Sequence, residues 1–303
     1  MTLLSSEQRE AFARDGYLVV AGGVGSSLLD GLRRQLGDWI AESRAQGEAY
    51  GETIEGLPRF DLAAEHSAAQ PALRRVNNPP EVSERYAEAA FEAPLVDMVA
   101  ELIGPDVKFH HGKINTKLPG SGTRVEYHQD FSYTPHTNDD MVTALLLLDD
   151  MTEQNGCLMV VPGSHREGQK SLWQDDRFTG KVDAAVDREA RARAVAITGK
   201  AGDACLMHTQ LLHGSDANRS ALPRSLFITV YCAADAWPLA ASPLPNRFEG
   251  RIVRGRPQHR VRLMEGEIEL PAAFKASSFF VVQEQAAAAR AAETTKSSRE
   301  ICA

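Results

Sequence analysis

The sequence predicts a mainly β fold, a jelly-roll or cupin-like barrel with flanking helices. Three observations carry this expectation. The run Met141-Val-Thr-Ala-Leu-Leu-Leu-Leu148 has no polar face apart from Thr143, as suits a central strand covered on both sides. Short apolar segments broken by Gly and Pro turns follow it, at 157–161, 195–197, 202–208 and 225–232. Segments of helical periodicity lie mainly ahead of these strands, where they can buttress a barrel.

A chain of 303 residues is read as one domain over 1–285, with the Ala-, Ser- and charge-rich 286–303 expected to be a frayed or disordered tail. Its 33 basic and 41 acidic residues give a net charge of -8, which argues against a nucleic-acid or membrane-surface binder. Cys157, Cys205, Cys232 and Cys302 lack CxxC spacing, and three of them sit in apolar runs, so reduced thiols and a cytoplasmic location are expected. Charged residues (Glu7, Arg9, Glu10, Arg14, Asp15) fill the start of the chain, and no apolar run approaches the ~18 residues needed to span a bilayer. The expected partner is a small molecule, with no nucleic acid and no membrane, and homodimerisation is left open.

Ser5-Ser6-Glu7-Gln8 reads as the N-cap of a short helix that turns Phe12 inward and ends at Asp15-Gly16. Tyr17–Val20 reads as a strand. Ser26-Ser27 can cap a longer helix whose Leu28, Leu29, Leu32, Leu36, Trp39 and Ile40 recur at helical spacing and should pack on the core. Residues 43–80 read as a long loop, a binding element or lid, that ends in Arg74-Arg75-Val-Asn-Asn-Pro-Pro80. Residues 81–103 are helical, stopped by Gly104-Pro105. From Asp106 to Lys117 the pattern has period two, placing Phe109, His111, Lys113, Asn115 and Lys117 on one face and His110, Gly112, Ile114 and Thr116 on the other. The first face is expected to line a polar cavity, with an exposed edge strand as the alternative. Residues 166–194 read as a polar surface excursion with Trp173 and Phe178 as isolated anchors.

Chemistry gathers at Tyr127-His128-Gln129-Asp130. In an extended strand, side chains at i and i+2 share a face, so His128 and Asp130 can reach one ion. The best third ligand is His213, in His213-Gly214-Ser215, where the small residues suit close approach to a metal. His208 is expected to be structural, and His165 belongs to a turn. Two imidazoles and one carboxylate with open positions opposite suit non-heme Fe(II) oxygenases. Arg224 follows His213 across a turn, and its planar fork can recognise the carboxylate of a keto acid.

Taken together, Phe12-Ala-Arg-Asp-Gly-Tyr17, Lys117-Leu-Pro-Gly120, His128-Gln-Asp130, Leu147-Leu-Asp-Asp150, Asn155-Gly156, Val161-Pro-Gly-Ser-His165, Gly202-Asp203, His213-Gly-Ser215, Asn218-Arg-Ser220 and Arg224 resemble the phytanoyl-CoA dioxygenase family of Fe(II)- and 2-oxoglutarate-dependent oxygenases. The resemblance spans roughly residues 10 to 232 and implies a double-stranded β-helix barrel. It assigns Fe(II) to His128, Asp130 and His213 and the distal carboxylate of 2-oxoglutarate to Arg224, with Thr143 and Ser215 as hydroxyl partners. Lys113-Ile-Asn115-Thr-Lys117 is similar to the ectoine-hydroxylase branch, which puts Asn115 and Lys117 beside the co-substrate. The implied chemistry consumes O2 and 2-oxoglutarate and releases succinate and carbon dioxide. Asp130 favours hydroxylation, because related halogenases carry a small residue there; desaturation or epoxidation uses the same ligands.

For the substrate, His111, Lys113, Gln129 and Tyr133 are the candidate contacts, covered by 43–80 and 166–194. Lys113, Arg74 and Arg75 favour a small polar, anionic or zwitterionic metabolite. The run Arg251, Arg254, Arg256, His259, Arg260, Arg262 is expected to be an exposed strand pair. Phe131-Ser-Tyr-Thr-Pro-His136 lacks the tryptophan and acidic pattern of the ectoine branch, which argues against ectoine. Two other readings are an iron dioxygenase that needs no keto acid and a silent barrel that binds 2-oxoglutarate or a metal.

Overall fold

The structure is a computed structural model that describes residues 2–120, 122–272, 280–289 and 291. Its strands are β1 (Tyr17–Val20), β2 (Phe60–Leu62), β3 (Leu73–Asn77), β4 (Val107–Lys117), β5 (Val125–His128), β6 (Met141–Leu147), β7 (Leu158–Val160), β8 (Trp173–Gln174), β9 (Arg177–Phe178), β10 (Val195–Ile197), β11 (Ala204–His208), β12 (His213–Ser215), β13 (Arg224–Ala233) and β14 (Ile252–Arg254). The helices are α1 (Ser6–Asp15), α2 (Ser26–Ser43), α3 (Glu84–Phe91), α4 (Pro94–Ile103) and α5 (Ala184–Arg193), and residues 280–289 are helical as well.

Two antiparallel sheets face one another. The larger runs β1-β11-β6-β13-β4-β3-β2, with β14 also on β4; the smaller runs β10-β7-β12-β5. This is the jelly-roll barrel that the strand pattern predicts, and β6 lies between β11 and β13 at its centre. The β6 side chains alternate between two apolar layers. Val142, Ala144, Leu146 and Leu148 join Leu32, Leu36, Trp39, Tyr86 and Val99 of the helices, whereas Leu145 and Leu147 meet Leu158 and Val160 of the smaller sheet. Thr143 is the polar side chain on the inner face of β6, and it is buried.

Local signals explain the helix ends. Ser5 and Gln8 form a reciprocal capping box at α1, and Gly16 closes it in the left-handed conformation (φ 81°). The N-cap of α2 is Gly25, with Ser26 as the first helical residue, one position away from the expected serine cap. The helix expected over 81–103 is two: Pro94, lacking an amide hydrogen, begins α4 rather than continuing α3.

Three further expectations are corrected. Residues 43–80 are not all loop, because β2 and β3 extend the larger sheet beyond β4. Period-two patterning fails in such three- to five-residue strands, which are buried on both faces. Residues 166–194 contain the β8–β9 pair and α5, and Trp173 and Phe178 are not isolated but pack edge-to-face at 5.5 Å. The faces of β4 also change along its length. Phe109 pairs with Tyr231 and His111 with Val230, so His110 is the extra residue of a β-bulge. The bulge sends Phe109 to the helical side, against Phe91 and Tyr231, and keeps His111 with Lys113 on the inner side.

In the arginine-rich stretch, Ile252–Arg254 pairs with β4, Arg254 bonds Asp97 and Arg262 bonds Asp235. These arginines pin the outer chain to the barrel. Cys157, Cys205 and Cys232 are buried free thiols; Cys302 lies outside the described residues, as do 290 and 292–303 of the expected tail. Phe280, Val282 and Ala286 are buried, so the helical stretch 280–289 packs on the barrel across the expected boundary at 285. Among the described residues, no helix is long and apolar enough to cross a membrane.

Candidate active site

His128 ends β5 and lies directly opposite His213 of β12 in the smaller sheet. A cross-strand pair places two side chains on one face within reach of a common partner. Asp130 comes from a short 3-10 turn, Asp130–Ser132, that begins as the strand ends, rather than from an extended i+2 position. Its backbone is anchored by Phe131 N–H donating to Thr209 O (2.9 Å).

One ligand atom from each of His128, Asp130 and His213 lies within 4.8 Å of the others, and all three residues are buried. Both rings are aimed by the backbone two residues earlier: Nδ1 of His128 is 2.8 Å from Glu126 O, and Nδ1 of His213 is 2.9 Å from Leu211 O. A ring that donates from Nδ1 leaves the Nε2 lone pair for a metal. Those Nε2 atoms are 3.6 Å and 3.9 Å from Asp130 Oδ1. Burial pushes the His213 imidazole down to about 4, so it is neutral at neutral pH. Burial alone would raise the Asp130 carboxyl, but His213, His128 and Lys113 hold it well below the ordinary carboxylate range. Neutral imidazoles with an ionised carboxylate form the donor set that an Fe(II) ion accepts, so the residues present fit the metal.

A cavity opens beside these three side chains and is lined by Lys113, Asn115, Lys117, Thr143, Ser215 and Arg224 among others. Leu145, Leu158, Met207, Leu226 and Ile228 supply its apolar wall. Arg224 begins β13 directly opposite Lys117 of β4. The guanidinium of Arg224 donates through Nε to Gly156 O (3.1 Å), and Lys117 Nζ donates to Ser215 Oγ (2.7 Å) and to Asp216 O. Burial pushes Arg224 down to about 10, which leaves it charged.

Thr143 also lines the cavity, and its hydroxyl donates to Asp130 Oδ2 at 2.6 Å, which orients the carboxylate. Asn115 Oδ1 accepts from Arg75 Nε (3.0 Å). Lys113 lines the cavity, whereas His111 sits behind it with Nδ1 2.7 Å from that of His110. The side chain of Gln129 is directed away from the cavity. Its amide donates to Gln210 O and Gly168 O and accepts from Lys170 N–H, which ties down the 168–170 segment. Tyr133 donates to Gly180 O (2.5 Å) and sets its ring against His128 at 5.6 Å, a support for the ligand. Gly156, noted in the sequence only as part of the Asn155-Gly156 motif, proves to be the acceptor for Arg224, and Phe280, a cavity wall, escapes sequence reasoning because it stands in no recognisable spacing.

The phytanoyl-CoA dioxygenase family model matches residues 12–226. The chain belongs to that family. It is an iron- and 2-oxoglutarate-dependent dioxygenase. Among relatives, a Stutzerimonas stutzeri protein named "Probable alpha-ketoglutarate-dependent hypophosphite dioxygenase" is 35% identical over 207 residues, covering 66% of this chain and 71% of the relative. The ectoine dioxygenase of Sphingopyxis alaskensis is 29% identical over 250 residues, 76% of each chain. The crystal structure of EctD from S. alaskensis with 2-oxoglutarate and 5-hydroxyectoine aligns with a TM-score of 0.63 at 26% identity, over 87% of this chain and 88% of that one.

Proposed function

We propose that His128, Asp130 and His213 hold the Fe(II), that Arg224 takes the distal carboxylate of 2-oxoglutarate, and that the enzyme hydroxylates a small polar or anionic metabolite. The observation that carries this is the convergence of three ligand atoms within 4.8 Å beside a cavity whose far end holds a buried guanidinium. Iron with 2-oxoglutarate and O2 supplies an oxidant able to break a strong substrate–hydrogen bond. One oxygen atom enters the substrate and the other enters succinate, with carbon dioxide released.

The protein's own groups bind, aim and exclude water. Glu126 O and Leu211 O fix the histidine rings, and Thr143 fixes the carboxylate, so the ligands need little rearrangement when the metal enters. Arg224, held by Gly156 O, presents its remaining donors to a carboxylate, and Lys117 with Ser215 extends the polar end. Leu145, Leu158, Met207 and Ile228 keep water from the intervening carbons. Asn115 and Lys113 continue the inner face of β4 toward the substrate. The relatives are named for hypophosphite, as a probable dioxygenase, and for ectoine, which supports a small polar or anionic substrate.

Arg224→Leu tests this reading. Removing one partner of a buried charge pair costs about 3–5 kcal/mol, so 2-oxoglutarate affinity should fall by roughly 100- to 4,000-fold while metal binding holds. Unchanged turnover would point to an iron dioxygenase that needs no keto acid.

A further inference from the structure

We infer that Phe280 is the specificity-determining wall on the substrate side of this cavity, and that its ring sets the longest substrate able to reach the three ligand residues; this deepens, and rests on, the iron and 2-oxoglutarate reading above. The ring stands between two cavities. Phe280 lines the cavity that holds His128, Asp130 and His213, and it also lines an outer cavity together with Glu65, Arg74, Arg124, Lys181 and Glu284. Among the described residues, no other residue is shared by the two linings. The outer cavity meets solvent, since Glu65, Arg124 and Glu284 are exposed, whereas Phe280 is 4% exposed.

The sequence of the helical stretch 280–289 explains how the ring is held there. Phe280, Gln283, Glu284 and Ala287 follow the spacing i, i+3, i+4, i+7, so they share one helix face, and all four line the outer cavity. Val282 and Ala286 fall on the opposite face and are buried, Val282 in the apolar cluster of Tyr133, Leu172 and Phe178. Both flanks are latched. On one, Arg74 of β3 donates through Nη1 to Glu284 Oε1 (2.6 Å), and the guanidinium carbons of Arg74 and Arg75 lie 5.2 Å and 5.1 Å from the Phe280 ring centroid. On the other, Gln283 donates to Gly180 O (2.8 Å), and Arg177 Nη2 donates to Gln285 O (3.1 Å). The helix thus bridges β3 and the β9 region, and these latches hold the ring over the cavity.

Position decides what the ring limits. Arg75 bonds Asn115, which precedes Lys117 by two residues on the inner face of β4, roughly 7 Å at ~3.3 Å per residue. Phe280, set against Arg75, therefore stands on the Asn115 side of the cavity rather than at Arg224, which lies opposite Lys117. A further outer cavity meets the metal cavity at Val125 and Ser215, and Ser215 bonds Lys117 at the Arg224 end. In the reading above 2-oxoglutarate occupies that end, so the substrate comes in past Phe280. An aromatic ring packed and latched in this way yields little, and a substrate longer than the space beneath it collides with the ring.

The test is titration of Co(II)- and 2-oxoglutarate-loaded protein with 1-methyl-, 1-butyl- and 1-hexylimidazole, followed by the visible spectrum of Co(II). Each imidazole takes one metal position and sends its chain into the space beyond, where a buried methylene raises affinity roughly four-fold. In wild-type protein that rise should stop before hexyl. In Phe280→Ala the ratio of hexyl to methyl affinity should exceed the wild-type ratio at least ten-fold, with Phe280→Leu between the two and 2-oxoglutarate binding retained. An equal ratio in wild type and Phe280→Ala, or failure of both proteins to bind any of the three imidazoles with Co(II) and 2-oxoglutarate in place, would overturn the inference. The same gain in Glu284→Gln, which loosens the helix and keeps the ring, would overturn it by assigning the limit to the helix as a whole. Loss of 2-oxoglutarate binding in a folded Phe280→Ala would overturn it by assigning Phe280 to the co-substrate. If Phe280→Ala does not fold, Phe280→Leu against wild type decides. Wild-type protein that fails to hold Co(II) or 2-oxoglutarate would instead refute the functional reading beneath it.

Discussion

Thr143→Val isolates the support of the metal ligands without touching the ligands themselves. The threonine hydroxyl donates to Asp130 Oδ2 at 2.6 Å, and the side chain is 1% exposed on the central strand. Valine keeps the branched shape and the strand preference and deletes one donor. A hydrogen bond to a charged group contributes about 1.5–3 kcal/mol. At about 1.4 kcal/mol per tenfold, metal affinity should fall by roughly 10- to 100-fold, the range found when partners of metal ligands are removed. Fluorescence-monitored Co(II) and Fe(II) titration under anaerobic conditions measures it, and Thr143→Ser, which retains the donor, should stay near wild type. Thermal unfolding of the metal-free proteins should differ by only a few degrees. Equal metal affinity for wild type and Thr143→Val would refute the role given to this hydroxyl.

Acid should destabilise the metal-free protein well before its carboxylates titrate. Burial holds His110 at about 3 and His136 and His213 at about 4, so below the ordinary value near 6.5 the unfolded chain takes up protons that the folded chain refuses. Stability then falls by about 1.4 kcal/mol per histidine for each pH unit below ~6.5, and the depressed Asp130 carboxyl adds to the loss only at lower pH. Urea midpoints at pH 7 and pH 5 check this, and equal midpoints would contradict it. Gly156→Ala should damage the co-substrate end, because Gly156 has φ 77° and an added Cβ would lie 2.5 Å from Asp216 O. We expect weaker 2-oxoglutarate binding with a loss of stability of about 1–3 kcal/mol, measured by calorimetry and urea unfolding; a variant with wild-type affinity would show that the Gly156–Asp216 contact does not shape that end.

The parts of the site legible in the sequence are those written in short motifs. His128, Asp130 and His213 stand out by residue type and spacing, and Arg224 by its place beyond a turn. Their geometry was less legible. His128 meets His213 because β5 and β12 pair in one register, a long-range choice that no local pattern encodes. Period-two reasoning placed the inner face of β4 correctly from His111 onward and failed at Phe109, where one extra residue in the bulge reverses the alternation. Strands β2 and β3 were hidden because they are short and buried on both faces, and with them went the position of Arg75 beside Lys113. Gln129 shows the limit of proximity in sequence: flanked by two ligand residues, it faces the other way and holds a loop.

The most direct test of the central claim is succinate release from protein loaded anaerobically with Fe(II), after addition of 2-oxoglutarate and O2, in parallel with His128→Ala. Slow turnover without added substrate that the variant lacks is the expected result, since it requires both the co-substrate end at Arg224 and the metal at His128, Asp130 and His213. Succinate formation at the same rate by His128→Ala, or no turnover together with no binding of 2-oxoglutarate to the iron-loaded protein, would contradict the assignment of this cavity.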